Sequence, residues 1–409
     1  MRWSAFRLLW CASLAWSGAQ LMERVATLWL ALETGGGPLA VGIVLAARTL
    51  PSFVLGLTAG ALADRFDRRR VLMSVAGGAV LLMTVLGLLV RSGLVELWQV
   101  ALIALLSGCL QVTDSPSRQA LVVDLAGREN AGRGIALNAL ASRLFGAVGA
   151  IAGGVAIPVL GVASCYFLVA AAYLVDLVLV ALIARRAAAQ VSLSPLPFRR
   201  SIAEAGRLIL DNAPVRTLVL AAMVCEVFGF SYQTTVPSVA RDLLRAGAQG
   251  LGTLTAAGSL GATLAVLALT RLPGRARREP VLAGVFALYG LSLVAFANAA
   301  SLLLAAGMMM VVGACAAAFD ALQQTMLQLA VPEGQRGRAA GIWSFSIGTA
   351  PLGHLEVGAL AATLGTPGAL VINGSAVILA AAALLLRSPV YRPRRFTRSA
   401  IARSKVQGT

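Results

Sequence analysis

The chain alternates twelve apolar stretches with short basic or polar breaks, and this succession constrains its fold more than any single residue does. The stretches fall at about 6–32, 38–63, 71–91, 97–118, 133–157, 163–184, 216–238, 248–270, 281–299, 302–325, 338–363 and 367–386. A helix crossing a bilayer needs roughly 20 mostly apolar residues, so each stretch is near spanning length. Twelve such spans with their loops use up all 409 residues and leave no room for a separate soluble domain. With 58% hydrophobic and 12% charged residues, the chain has the bilayer as its solvent. The expected fold is all-α and integral to the membrane, with twelve transmembrane helices divided six and six. Its expected parts are an N-terminal half (1–184), a cytoplasmic linker (185–215), a C-terminal half (216–386) and a basic cytoplasmic tail (387–409).

The distribution of charge orients these spans. If the N-terminus is inside, only Arg91, Arg241 and Arg245 of the 34 Lys and Arg residues fall in outside loops, and only Arg24, Arg48 and Arg143 within spans. Positively charged short loops resist translocation, so both termini are expected in the cytoplasm of a bacterial cell membrane. The net charge of +17 belongs to these loops and not to one amphipathic face, which argues against a nucleic-acid partner. Arg199, Arg200, Ile202, Ala205, Leu208 and Ile209 in the linker form an amphipathic pattern suited to the inner leaflet, the alternative being a solvated linker.

The halves also echo one another. Asp114, Arg118, Glu129, Arg133 and Gly134 near the end of span four correspond to Asp320, Gln324, Glu333, Arg336 and Gly337 near the end of span ten. Two six-span repeats with one site between them are a transporter plan.

Charges at bilayer depth are costly and persist when paired or placed in a wet cavity. The candidates are Glu23, Arg24, Arg48, Arg143, Asp176, Glu226, Asp320, His354 and Glu356. At about 1.5 Å per residue, Glu23 and Arg48 each lie roughly 15 Å from the outer end of antiparallel spans and can pair. Trp16, Gln20, Glu23 and Thr27 recur at helical spacing and are expected to present one polar stripe to a central cavity, as are Asp320, Gln324 and Gln328. The alternative is that such residues hold helices together without touching substrate. In Pro351-Leu-Gly353-His354-Leu-Glu356, a broken helix is expected, because His354 and Glu356 face one cavity only if the helix is interrupted.

Gly60-Ala-Leu62-Ala-Asp64-Arg65-Phe66-Asp67-Arg68-Arg69-Arg70 resembles the loop 2-3 signature of the major facilitator superfamily, G-x-L-A-D-R-x-G-R-R, with Asp67 at the usual glycine. Ala47-Arg48-Thr49-Leu50-Pro51, the stretch from Asp114 through Arg118 to Leu121, and Val331-Pro332-Glu333 through Arg336 to Arg338 are similar to the enterobactin-exporter and macrolide-efflux-like branch. A monomer is expected, and the resemblance implies efflux of a small organic molecule, a siderophore, macrolide or other drug. It implies alternating access of two six-helix halves and coupling to protons or another ion. Span four lacks a mid-membrane arginine at Ser107-Gly108-Cys109, and Ala150 stands where the antiporter signature of span five has proline. Independently of the family, Asp64 can cap a helix, and the loop arginines can pair with acidic residues of the facing half and latch one face shut.

No enzyme constellation is present: the single histidine cannot make a two-His zinc site, and there is no P-loop or nucleophile elbow. Neither cofactor nor metal is expected. The competing readings are an uptake or lipid-translocating transporter and, from another class, a membrane enzyme or sensor.

Overall fold

The computed structural model describes residues 2–63, 67–183, 208–271, 278–331, 342–343 and 345–387. Asp64, Arg65, Glu333, Arg336, residues 184–207 of the linker region and the tail from 388 lie outside these. The helices are α1 (Arg2–Thr34), α2 (Pro38–Ala63), α3 (Arg68–Ser92), α4 (Leu97–Ala126), α5 (Ala131–Leu160) and α6 (Val162–Ala181). After residue 207 come α7 (Ala213–Leu243), α8 (Gly247–Leu269), α9 (Arg278–Ala297) and α10 (Leu302–Leu329). The last helix, Ala350–Arg387, is broken at Gly365 into α11 (350–364) and α12 (366–387).

Ten stretches among the described residues are long and apolar enough to cross a membrane. The last of them, Phe345–Leu386, holds two crossings joined at Gly365. The 33-residue α1 is also long enough, but Gln20, Glu23 and Arg24 lower its apolarity. With α1 added and the last stretch divided at Gly365, the described helices are consistent with the expected twelve.

Helices pair in the same way within each half. In the first, α1 packs on α5, α2 on α4 and α3 on α6; in the second, α7 packs on α11, α8 on α10 and α9 on α12. Two pairs make the most extensive contacts between the halves, α2 with α11 and α5 with α8. The outer surface carries exposed leucines and valines such as Leu81, Val159, Leu303 and Leu379, as expected where lipid tails replace water.

The connections repeat as well. Gly161 alone joins α5 to α6, with φ 83 and ψ 159. Gly365 joins α11 to α12 at φ 79 and ψ 157, nearly the same conformation. That region is open essentially to glycine only, so both hairpins turn at the one residue type able to turn there.

Both joints between the halves lie towards the face opposite the N-terminus, here called the far face. A methyl group at Gly252 of α8 would collide with the Ala150 carbonyl of α5, and Gly154 lies against the same turn. By pseudo-symmetry, Gly42 of α2 abuts the His354 carbonyl and Gly358 of α11. Backbones approach this closely only where side chains are missing. Arg241, at the far end of α7, also donates to the Leu32 carbonyl of α1 at 3.4 Å.

Candidate functional site

Polar side chains inside the N-terminal half satisfy one another. Glu23 Oε1 accepts from Arg48 at 2.5 Å, the pair expected from their matched depth, and Oε2 accepts from the Tyr173 hydroxyl at 2.5 Å. Tyr166 donates to Thr27 Oγ1 at 3.3 Å. Nearer the N-terminal face, Arg118 of α4 holds Asp114 at 2.8 Å and Asp176 of α6 at 3.0 Å, with its guanidinium 5.1 Å from the Trp16 ring. Trp16 in turn packs on Tyr173 at 4.8 Å, linking the two clusters. Each charge is thereby paired by hydrogen-bonded partners, the condition for its burial.

The polar stripe expected on α1 is therefore divided. Glu23 and Thr27 turn into the N-terminal half, whereas Ser17, Gln20, Leu21, Arg24 and Leu28 line a cavity of about 370 Å³ between the halves. The correction is a rotation of roughly 100°, one residue on a helix: polarity along α1 serves two environments, and the spacing cannot say which side each residue takes. A second cavity, of about 310 Å³, shares Ser17, Gln20 and Ser142 with the first and extends between α1, α4 and α5 past Asp114 and Arg118.

On the other side of the central cavity stand Phe230, Tyr232, Gln233 and Val236 of α7, Thr255 and Ser259 of α8, and Met309 and Asp320 of α10. Asp320 and Arg143 of α5 line the cavity from opposite halves, within electrostatic reach of one another but, among the described residues, without a direct ion pair. Gln324 and Gln328, although spaced to follow Asp320, do not line the cavity. Glu226 sits behind the lining, buried and within the electrostatic reach of Asp320.

The marked interruption lies in α7; the helix is regular through residues 351–356, and the turn in that span comes just before it, at Gly348 and Thr349. From Cys225 to Leu243 the backbone passes through a π turn, a 3-10 turn, a short α turn and a second π turn. Ser231-Tyr-Gln-Thr-Thr235 and Pro237 mark the interruption in the sequence. Pro351 leaves α11 intact because it lies in the first turn of the helix, where a missing N–H costs nothing. His354 and Glu356 hold the interruption in place. Thr234 Oγ1 lies 3.0 Å from His354 Nδ1, and Asn373 Nδ2 donates to Ser231 Oγ at 3.0 Å and to Glu356 at 3.2 Å. Neither His354 nor Glu356 lines the cavity.

At the N-terminal face, Gly60 lies in the last turns of α2 and Asp67 caps α3, accepting from the Arg69 backbone at 3.0 Å. Arg69 donates to the Val180 carbonyl at 3.2 Å and to the Ala181 carbonyl, closing the end of α6. Arg68 pairs with Asp124 at 2.5 Å. These partners belong to the N-terminal half. The orphan carbonyls at a helix C-terminus are the nearer attraction for a guanidinium placed there.

A twelve-helix bundle of two pseudo-symmetric halves around one central cavity defines a transporter of the major facilitator type. Solved structures agree in fold: the nucleoside transporter NupG superposes with TM-score 0.74 at 13% identity, covering 95% of this chain and 99% of that one. A bacterial homologue of the iron transporter ferroportin, in an inward-facing state, gives 0.74 at 16%, covering 93% and 98%. Residues 1–403 match the model of the transmembrane secretion effector family, and the chain belongs to that family. Relatives include the enterobactin exporter EntS of Escherichia coli, 29% identical over 314 residues, with 74% of this chain and 73% of that protein aligned. The multidrug efflux pump Tap of Mycolicibacterium fortuitum is 26% identical over 353 residues (83% and 85%). The staphyloferrin A transporter of Staphylococcus aureus is 23% identical over 249 residues, a match spanning 60% of this chain and 61% of that transporter's length.

Proposed function

We propose that this transporter is a secondary active exporter of small amphipathic organic compounds, working by alternating access and driven by protons. The observation that carries this reading is the central cavity, which both halves line with polar and apolar groups side by side. A site shared by two bodies can be offered to either face as they rock against one another. Relatives named as an enterobactin exporter and a multidrug efflux pump support outward transport. In an inverted-vesicle screen with an imposed pH gradient, siderophores, macrolides and amphipathic dyes are the compounds to test. Accumulation of at least one, collapsed by a protonophore, is the expected result; no accumulation of any, or accumulation indifferent to the protonophore, overturns the reading.

Asp320 is the proposed proton carrier. Its attraction to Arg143 crosses the gap between the halves in a medium of low dielectric, and a proton on the carboxylate removes it. Asp320→Asn is expected to uncouple transport: substrate still equilibrates across the vesicle membrane, but the pH gradient no longer concentrates it. A variant that concentrates substrate as well as the parent would remove Asp320 from the coupling step.

The N-terminal face is assigned to the cytoplasm of a bacterial cell membrane, from the arginine asymmetry. Reporter fusions at Gly93, Gly247 and Gly365 are expected to report the outside. A cytoplasmic signal from any of them contradicts the orientation.

A further inference from the structure

We infer that Arg24 is the recognition point for an oxyanion on the substrate, so that the cargo is an amphipathic organic anion such as a carboxylate. The inference rests on the transport reading above and narrows it to a chemical class.

The argument begins with Glu23, the carboxylate beside Arg24 in the chain. Both of its oxygens are engaged, one by Arg48 and the other by Tyr173. Arg24 projects about 100° further round α1 and lines the cavity instead. Among the described residues, no carboxylate comes within ion-pair distance of it. Tyr232 from α7, the already paired Arg48 and His354 lie within its electrostatic reach. Ten residues from the end of α1 at Thr34, it lies roughly 15 Å below the far face, near the middle of the bilayer.

The other charged residues on the cavity wall are Arg143 and Asp320, on opposite halves. With Arg24 the wall carries two arginines against one carboxylate, so its balance is positive. A charge at that depth is expensive unless neutralised, and a guanidinium offers a planar fork of donors that matches a carboxylate or similar oxyanion. Tyr232 and Gln233 add hydrogen-bonding groups beside it, and Leu21, Leu28, Phe230 and Met309 provide an apolar wall for the rest of the molecule. A cavity selective for organic cations would be expected to show the opposite balance.

The test uses three probes of one shape, 1-naphthylacetate, 1-naphthylacetamide and 1-naphthylethylamine, titrated calorimetrically into the full chain in phosphatidylcholine nanodiscs. The parent is expected to bind the carboxylate roughly tenfold or more tightly than the amide or the amine, as befits a hydrogen bond to a charged group. Arg24→Gln should erase that preference and Arg24→Lys retain part of it. The carboxylate should raise the melting temperature of the parent but not of Arg24→Gln, which, having lost an uncompensated charge, is itself expected to melt no lower than the parent. Failure of the carboxylate to bind, binding no tighter than the amide or amine, or a preference that survives Arg24→Gln overturns the inference. The exporter reading fails separately, since vesicle accumulation of neutral or cationic compounds would uphold it whatever Arg24 does.

Discussion

Arg118→Ala is expected to be the most damaging single substitution in the N-terminal half, lowering stability by about 3–5 kcal/mol. The guanidinium is the shared partner of two carboxylates, Asp114 at 4% and Asp176 at 0% exposure, so its removal strands both inside the bundle. It also takes a cation from the face of Trp16, the ring that links this cluster to Tyr173 and Glu23. The expected signature is a melting temperature several degrees below the parent in detergent, with reduced yield of folded protein. The triple variant Arg118→Met, Asp114→Asn, Asp176→Asn carries no stranded charge and should recover most of the loss. Arg241→Ala provides the contrast: its pair with Asp242 is exposed and its bond to the Leu32 carbonyl is long, so its loss should cost about 1 kcal/mol or less. Equal melting temperatures for Arg118→Ala and the parent would mean that α4 and α6 do not depend on the pair.

The second large effect is expected at Gly252, on activity and not on insertion. Towards the far face, α8 lies so near α5 that even a methyl group at this position meets the Ala150 carbonyl and Gly154. Gly252→Leu cannot be accommodated there, so it should shift the population towards conformers open at the far face. Transport should fall about tenfold or more while expression holds, because a transporter held in one state cannot cycle. Thr255, which lines the cavity, reports the state directly. In a background without the five native cysteines, Thr255→Cys should react faster with an impermeant maleimide from the far side when Gly252 is Leu. Unchanged transport and unchanged labelling would together show that this contact does not gate access.

The parts of this molecule legible in the sequence are those set by length and by repetition. A run of apolar residues must span if it is long enough, so the helices could be counted before any packing was known. The Glu23–Arg48 pair was legible for a similar reason, since equal depths on adjacent antiparallel helices leave two opposite charges little choice. Facing was not legible. The residues spaced along α1 from Trp16 to Thr27 share one helical stripe, yet Gln20 looks into the cavity while Glu23 and Thr27 look away from it. The opposition of Arg143 and Asp320 depends on how α5 and α10 stand across the cavity, a tertiary fact that neither span records. The interruption of α7 had a local signal in its Ser, Thr, Gln and Pro residues, but Pro351 offered a rival signal that the first turn of α11 absorbs.

The matching turns at Gly161 and Gly365 bear on how such a duplicated architecture can persist while its two copies drift apart. The residues around them, Val159-Leu160-Gly161-Val162 and Thr363-Leu364-Gly365-Thr366, share only the leucine and the glycine. What the copies hold in common at this point is a pair of dihedral angles that one amino acid can adopt. Symmetry of this kind is written in the main chain. It leaves almost every side chain free to differ, so that one half can specialise in a buried charge network and the other in an interrupted helix without losing the two-fold relation that lets them move as counterparts.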